Sequence, residues 1–169
     1  LLRPITAVIK ATPVASFIIL VLLWFSGKNL SVIISMLMVF PVIYMNVLEG
    51  IRSADEKLLE MAQVFRLSVS KKLLYIYLPA VAPFFVSACS VSLGLCWKSG
   101  IAAEVIGTPD GSIGAVFYQA KIFLQTSELL AWTVVVVAVS VAFEKLFMFL
   151  LRLILKKLKM EDVLNGKRA

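Results

Sequence analysis

Residues 30–48 read LSVIISMLMVFPVIYMNVL, a stretch without a charged side chain that approaches the ~20 residues a helix needs to cross the hydrocarbon core of a bilayer. Three further apolar runs accompany it, at Thr12–Ser26, Leu78–Trp97 and Leu129–Phe149. The run at 12–26 is short and is expected to extend back past Pro13. Over the whole chain of 169 residues, 61% are apolar, 16% are charged and the mean hydropathy is +0.98, against roughly 45–50% apolar content in soluble domains. The runs are continuously apolar and lack the alternation of a lipid-facing strand, which argues against a barrel. The sequence predicts an all-α transmembrane fold, a bundle of about four spans forming a single domain over 1–169.

Lys and Arg are unevenly placed around these spans. Arg3 and Lys10 precede the first, Arg52, Lys57, Arg66, Lys71 and Lys72 lie between the second and third, and Arg152, Lys156, Lys157, Lys159, Lys167 and Arg168 follow the fourth. Lys28, Lys98 and Lys121 fall on the other side, and Lys145 lies inside the last span. By the positive-inside rule the loop 49–77 and the C-terminal tail 150–169 are expected in the cytoplasm, and the connection 98–128 outside. The net charge of +7 thus reports topology. A nucleic-acid partner is not expected, because these cations flank membrane segments and form no solvated basic face.

The opening Leu1-Leu2-Arg3-Pro4 has no Met and no signal-peptide pattern, so the expectation is a fragment whose missing N-terminal spans come as a pair. Cys89 and Cys96 are seven apart on one predicted helix, roughly 10 Å between Cα atoms, too far for a disulfide. With no His, no clustered Cys, no nucleophile motif and no Gly-rich phosphate loop, neither an enzyme nor a bound cofactor is expected in this chain. In the third span, Pro79 and Pro83 are expected in the opening turns, where a missing N–H costs least. Ser90 with Gly94, and Ser92 with Cys96, offer small-xxx-small spacing for close helix packing.

The loop 49–77 carries its own helix signal. Ser53-Ala54-Asp55-Glu56 reads as a helix start, with Ser53 as N-cap and Glu56 as its capping-box partner. Leu58, Met61, Ala62 and Phe65 then recur at i, i+3, i+4 and i+7, opposite Glu56, Glu60 and Gln63, so the helix is amphipathic. It either lies on the lipid interface or inserts into a groove of another protein.

Glu60-Met61-Ala62, three residues, Arg66, nine residues and Ile76-Tyr77-Leu78-Pro79 resemble the E-A-A-x3-G-x9-I-x-L-P motif of permease subunits of binding-protein-dependent ABC importers. Met61 replaces the second-position Ala and Arg66 replaces the Gly. Arg at positive φ is costly, so either the turn moves to Leu67-Ser68 or its geometry differs. The resemblance covers nearly the whole chain: Leu23-Trp24-Phe25-Ser26-Gly27, Phe40-Pro41, Asn46-Val47-Leu48-Glu49-Gly50, Gly94-Leu95-Cys96-Trp97, and Ala102-Ala103-Glu104 with Gly107 are similar to elements of the branch handling nitrate, sulfonates, taurine and pyrimidine precursors.

The resemblance implies a bacterial inner-membrane subunit that passes a small solute across the bilayer. It implies three partners: a homodimeric ABC ATPase, a second permease copy, and an extracytoplasmic solute-binding protein. Glu60, Met61, Ala62, Phe65, Arg66, Leu67 and Ser68 would belong to the ATPase-coupling loop, within residues 57–70. A secondary transporter or a non-transporting membrane assembly subunit are the competing readings.

Gly94, Glu104, Gly107 and Gly114 are candidates for the pathway or its gate. An acid near a membrane is a functional candidate by default; Glu104 equally fits a structural role, paired with Lys98 or capping amides near the 107–114 turn. Glu144 and Lys145 either mark the cytoplasmic end of the last span, or one of them faces the bundle.

Overall fold

The computed structural model describes residues 3–25 and 27–157, in which every regular element is helical. The α-helices are α1 (Arg3–Ala11), α2 (Val14–Trp24), α3 (Leu30–Arg52), α4 (Glu56–Val64), α5 (Val69–Lys72), α6 (Leu78–Gly107), α7 (Ile113–Ile122) and α8 (Thr126–Lys157). A 3-10 turn at Gly27–Asn29 leads into α3, and a π-helical segment at Leu73–Tyr77 joins α5 to α6.

Three of these runs are long and apolar enough to cross a bilayer: Leu30–Arg52, the continuous helical run Val69–Gly107, and Thr126–Lys157. A fourth crossing exists only if α1 and α2 count as one broken span, because their axes meet at 103°. Helical structure does extend back past Pro13, as expected, but as a separate helix that breaks from α2 at that residue. Pro13 is extended (φ −59°, ψ 136°) and stands as the N-cap of α2, and the residue before a proline is itself pushed out of the helical region.

The chain divides into two compact units, one taking in the chain up to Pro41 with Ser92–Glu144, the other Val42–Val91 with the chain from Lys145. In the first, Ile18, Leu30, Ile34, Met38 and Ala103 form the buried centre, with Phe17, Val21, Leu22 and Leu95 packed around it. Its tightest approach joins α3 to α6: Ser35 Oγ donates to the Cys96 carbonyl at 3.1 Å, and a Cβ on Gly100 would stand 2.9 Å from the Oγ atoms of both Ser31 and Ser35. Small residues letting backbones close in this way are the usual basis of helix association in lipid. The expected stripe through Gly94 is displaced by about a turn and a half, for nothing lies within 4 Å of a Cβ there.

In the second unit, Ala54, Ala62 and Ile76 make one buried cluster, with Leu59, Leu67, Tyr77 and Ala80 against it. Ala82 and Leu155 make another. Gly50 lets α3 meet α6, since a Cβ there would come within 2.8 Å of Val81 Cα.

Pro79 stands in the first turn of α6, as expected, although the helical run it belongs to starts ten residues earlier at Val69. The π-helical segment accommodates it. The Leu78 N–H donates to the Leu73 carbonyl, five residues back, and this wider turn relieves the clash a proline ring makes with the preceding turn.

Candidate functional site

The loop after α3 is built by three local devices. Ser53 N–H still bonds the Glu49 carbonyl at 2.9 Å and Ser53 Oγ donates to the Gly50 carbonyl at 2.9 Å, so this residue finishes α3. Asp55 is the first extended residue, and its carboxylate accepts the Lys57 N–H at 2.9 Å. The N-cap of α4 is therefore Asp55, not Ser53. An acid here also complements the positive end of the helix dipole.

The expected apolar stripe of α4 divides in two. Ala62 is fully buried against Ala54 and Ile76, and Leu59 packs beside it. Leu58 and Met61 are 43% and 49% exposed, and Phe65 is 70% exposed. Val64 and Val69 extend this outward apolar surface, and Glu60 is exposed next to it. The inward face anchors the helix and the outward face is left uncovered among the described residues.

Arg66 adopts φ +50°, so the turn stays at the residue that replaces Gly and does not move to Leu67-Ser68. Leu67 N–H donates to the Ala62 carbonyl at 2.9 Å and Arg66 N–H to the Gln63 carbonyl at 3.0 Å. These are the paired bonds of a Schellman cap, and Leu67 packs against the Ala62 cluster as that cap requires. Ser68 is extended and starts α5. The left-handed residue costs about 1–2 kcal/mol without glycine, offset by two carbonyls satisfied and one leucine partly buried.

In the other unit, three of the four pathway candidates meet at the end of α6. The Glu104 carboxylate accepts the Gly114 N–H at 3.2 Å, and Ser112 Oγ accepts the Ala115 N–H at 3.0 Å as N-cap of α7. Of the two partners the sequence offers Glu104, the amide is the one it takes. A Cβ on Gly114 would overlap the Cβ and main chain of Glu104. A Cβ on Gly107 would overlap the side chain of Leu30. These glycines are close-approach positions that seat α7 and α3 on α6.

Gly94 stands apart from them. It lines a groove of about 330 Å³ between α6 and α8 together with Trp97, Lys98, Val137, Ser140 and Glu144. Trp97 and Phe143 hold this wall by an edge-to-face contact, 6.1 Å between centroids at 72°. Glu144 is half-buried and faces the groove while Lys145 is exposed, so one of the adjacent charges faces the bundle. Lys98, Ser140 and Glu144 were not legible as one site, because nothing local links α6 to α8. The available signal was a cation on α6 and an acid on α8, each four residues after a small residue in an apolar run.

The family described as the binding-protein-dependent transport system inner membrane component matches residues 1–160. The chain is 29% identical over 157 residues to the putative aliphatic sulfonates transport permease protein SsuC of Bacillus subtilis (strain 168), covering 92% of this chain and 56% of that protein. It is 37% identical over 135 residues to the protein of the same name in Escherichia coli (strain K12), covering 78% and 48%. It is 27% identical over 145 residues to the taurine transport system permease protein TauC of Escherichia coli (strain K12), covering 85% and 52%. The chain spans about half the length of these curated relatives. With a match over nearly its full length, and with α4, Arg66 and Ile76 folded as a single capped unit, the chain belongs to the family of binding-protein-dependent transport system inner membrane components.

Proposed function

We propose that the chain is the membrane-spanning part of an ATP-binding-cassette importer that carries a small solute bearing an anionic group. The observation that carries the reading is the outward apolar face of α4: Leu58, Met61, Val64 and Phe65 are exposed while Ala62 is fully buried beneath them. An amphipathic helix held rigidly from behind is the shape that enters a groove on a partner, and membership of a binding-protein-dependent transport family supports an ATPase as that partner. Glu60 adds a charge at the rim of the contact. The relatives named for sulfonates, taurine, nitrate and bicarbonate support the solute class.

Two copies of the chain line the path, an external binding protein delivers the solute, and the loop 49–77 and the C-terminus face the cytoplasm, where thirteen of the seventeen cations then lie. ATP is hydrolysed in the partner, and α4 transmits the change between alternating states. The apolar stretch of α8, none of which is buried within the chain, faces lipid or the second copy.

The test is co-purification and uptake with Phe65→Asp and Glu60→Lys in the complete transporter. Loss of the ATPase from the purified complex, with uptake reduced about tenfold or more, is expected for a desolvated anchor turned polar. Unchanged co-purification and uptake reject the reading.

A further inference from the structure

The groove between α6 and α8 has one cation among its lining residues, the exposed Lys98. Gly94 and Lys98 are one turn apart on α6, and Ser140 and Glu144 repeat that spacing on α8, so each pair shares a helix face. No atom lies within 4 Å of a Cβ built on Gly94, which leaves the space one turn below Lys98 open. The remaining wall is the Trp97 ring and aliphatic side chains including Val137. At about 330 Å³ the groove is at the lower end of the ~300–1,000 Å³ of small-molecule sites.

A lysine on a membrane-crossing helix is expensive and marks a path or a partner. Apolar walls beside the ammonium lower the local dielectric, so it attracts an anion more strongly than it would on a fully polar surface. The donors of the groove favour the same sign of ligand: Ser140 Oγ already donates to the Val137 carbonyl at 2.9 Å, which leaves the three N–H bonds of Lys98 as its charged donors. We propose that Lys98 is the anion contact of the translocation path, taking the sulfonate, carboxylate or nitrate group of the solute as it moves along α6. Glu144 lines the same groove, and an acid on the wall weakens the hold on an anion, which favours release as a conducting site requires. The inference rests on the importer reading above.

The experiment is uptake by the complete transporter, with its ATPase and binding protein, in proteoliposomes, using labelled ethanesulfonate, taurine, nitrate and bicarbonate as separate probes. Lys98→Met keeps the length and removes the charge; Lys98→Arg keeps the charge. Lys98→Met is expected to lower uptake of the transported probe by about tenfold or more, the loss of one charge-assisted contact. Lys98→Arg is expected to stay within about threefold of wild type, and both variants retain ATPase co-purification and solute-free ATP hydrolysis. Uptake by Lys98→Met equal to wild type overturns the assignment alone, as does an equal loss in both variants, which would make the position steric. A wild-type complex that takes up none of the four probes overturns the solute class and the assignment with it.

Discussion

The Leu67 N–H donates to the Ala62 carbonyl at 2.9 Å, across a turn whose central residue, Arg66, sits at φ +50°. That bond ties the outward face of α4 to its buried base. It also shows that the turn persists when glycine is absent, because the cap geometry is set by its flanking bonds and by the burial of Leu67.

Arg66→Gly removes the side-chain penalty of a left-handed backbone and is expected to stabilise the protein by about 1 kcal/mol, raising the thermal midpoint in detergent by roughly 2–4 °C. Arg66→Val should lower it, since a β-branched residue tolerates positive φ least. A lower midpoint for Arg66→Gly would contradict the observed turn.

Gly114→Ala drives a methyl into the Glu104 main chain and is expected to cost about 1–3 kcal/mol as an overpacked contact. Glu104→Gln keeps an acceptor for the Gly114 amide and loses only the charge at the N-terminus of α7, about 0.3–1 kcal/mol. The complex should therefore assemble normally with Glu104→Gln and poorly with Gly114→Ala, as read by size-exclusion profile and thermal midpoint. The opposite order would show that the Glu104 carboxylate does not hold the first turn of α7.

Gly94→Ala and Gly100→Ala place the same methyl on the same helix with opposite expected signs. At Gly94 the space is open, so alanine should stabilise α6 by about 0.5–1 kcal/mol through the lost glycine flexibility. At Gly100 the methyl meets Ser31 and Ser35, and moving Ser35 breaks its bond to Cys96; a loss of about 1–2 kcal/mol is expected. Thermal unfolding of the two variants side by side decides it, and equal effects would refute the α3–α6 contact.

Much of the fold was legible because membrane helices announce themselves locally: a run such as 30–48 is helical wherever it sits, since lipid leaves its backbone no other way to satisfy its hydrogen bonds. The amphipathic α4 was legible for a similar reason, from spacing alone. The exact cap was not, because Ser53 and Asp55 are both good caps and only the path of the chain leaving α3 shows which one is still wound into it.

By itself, then, the sequence determined the membrane class, the family and the position of the Glu60–Pro79 motif, all properties carried by runs and spacings along the chain. Which face of α4 is buried, that Arg66 holds the left-handed turn, that Glu104 accepts an amide of the first turn of α7, and that Gly94, Lys98, Ser140 and Glu144 share one groove were decided only by the tertiary structure. Each depends on a contact between residues that no local preference can bring together, and packing alone selects among the local options that the chain leaves open.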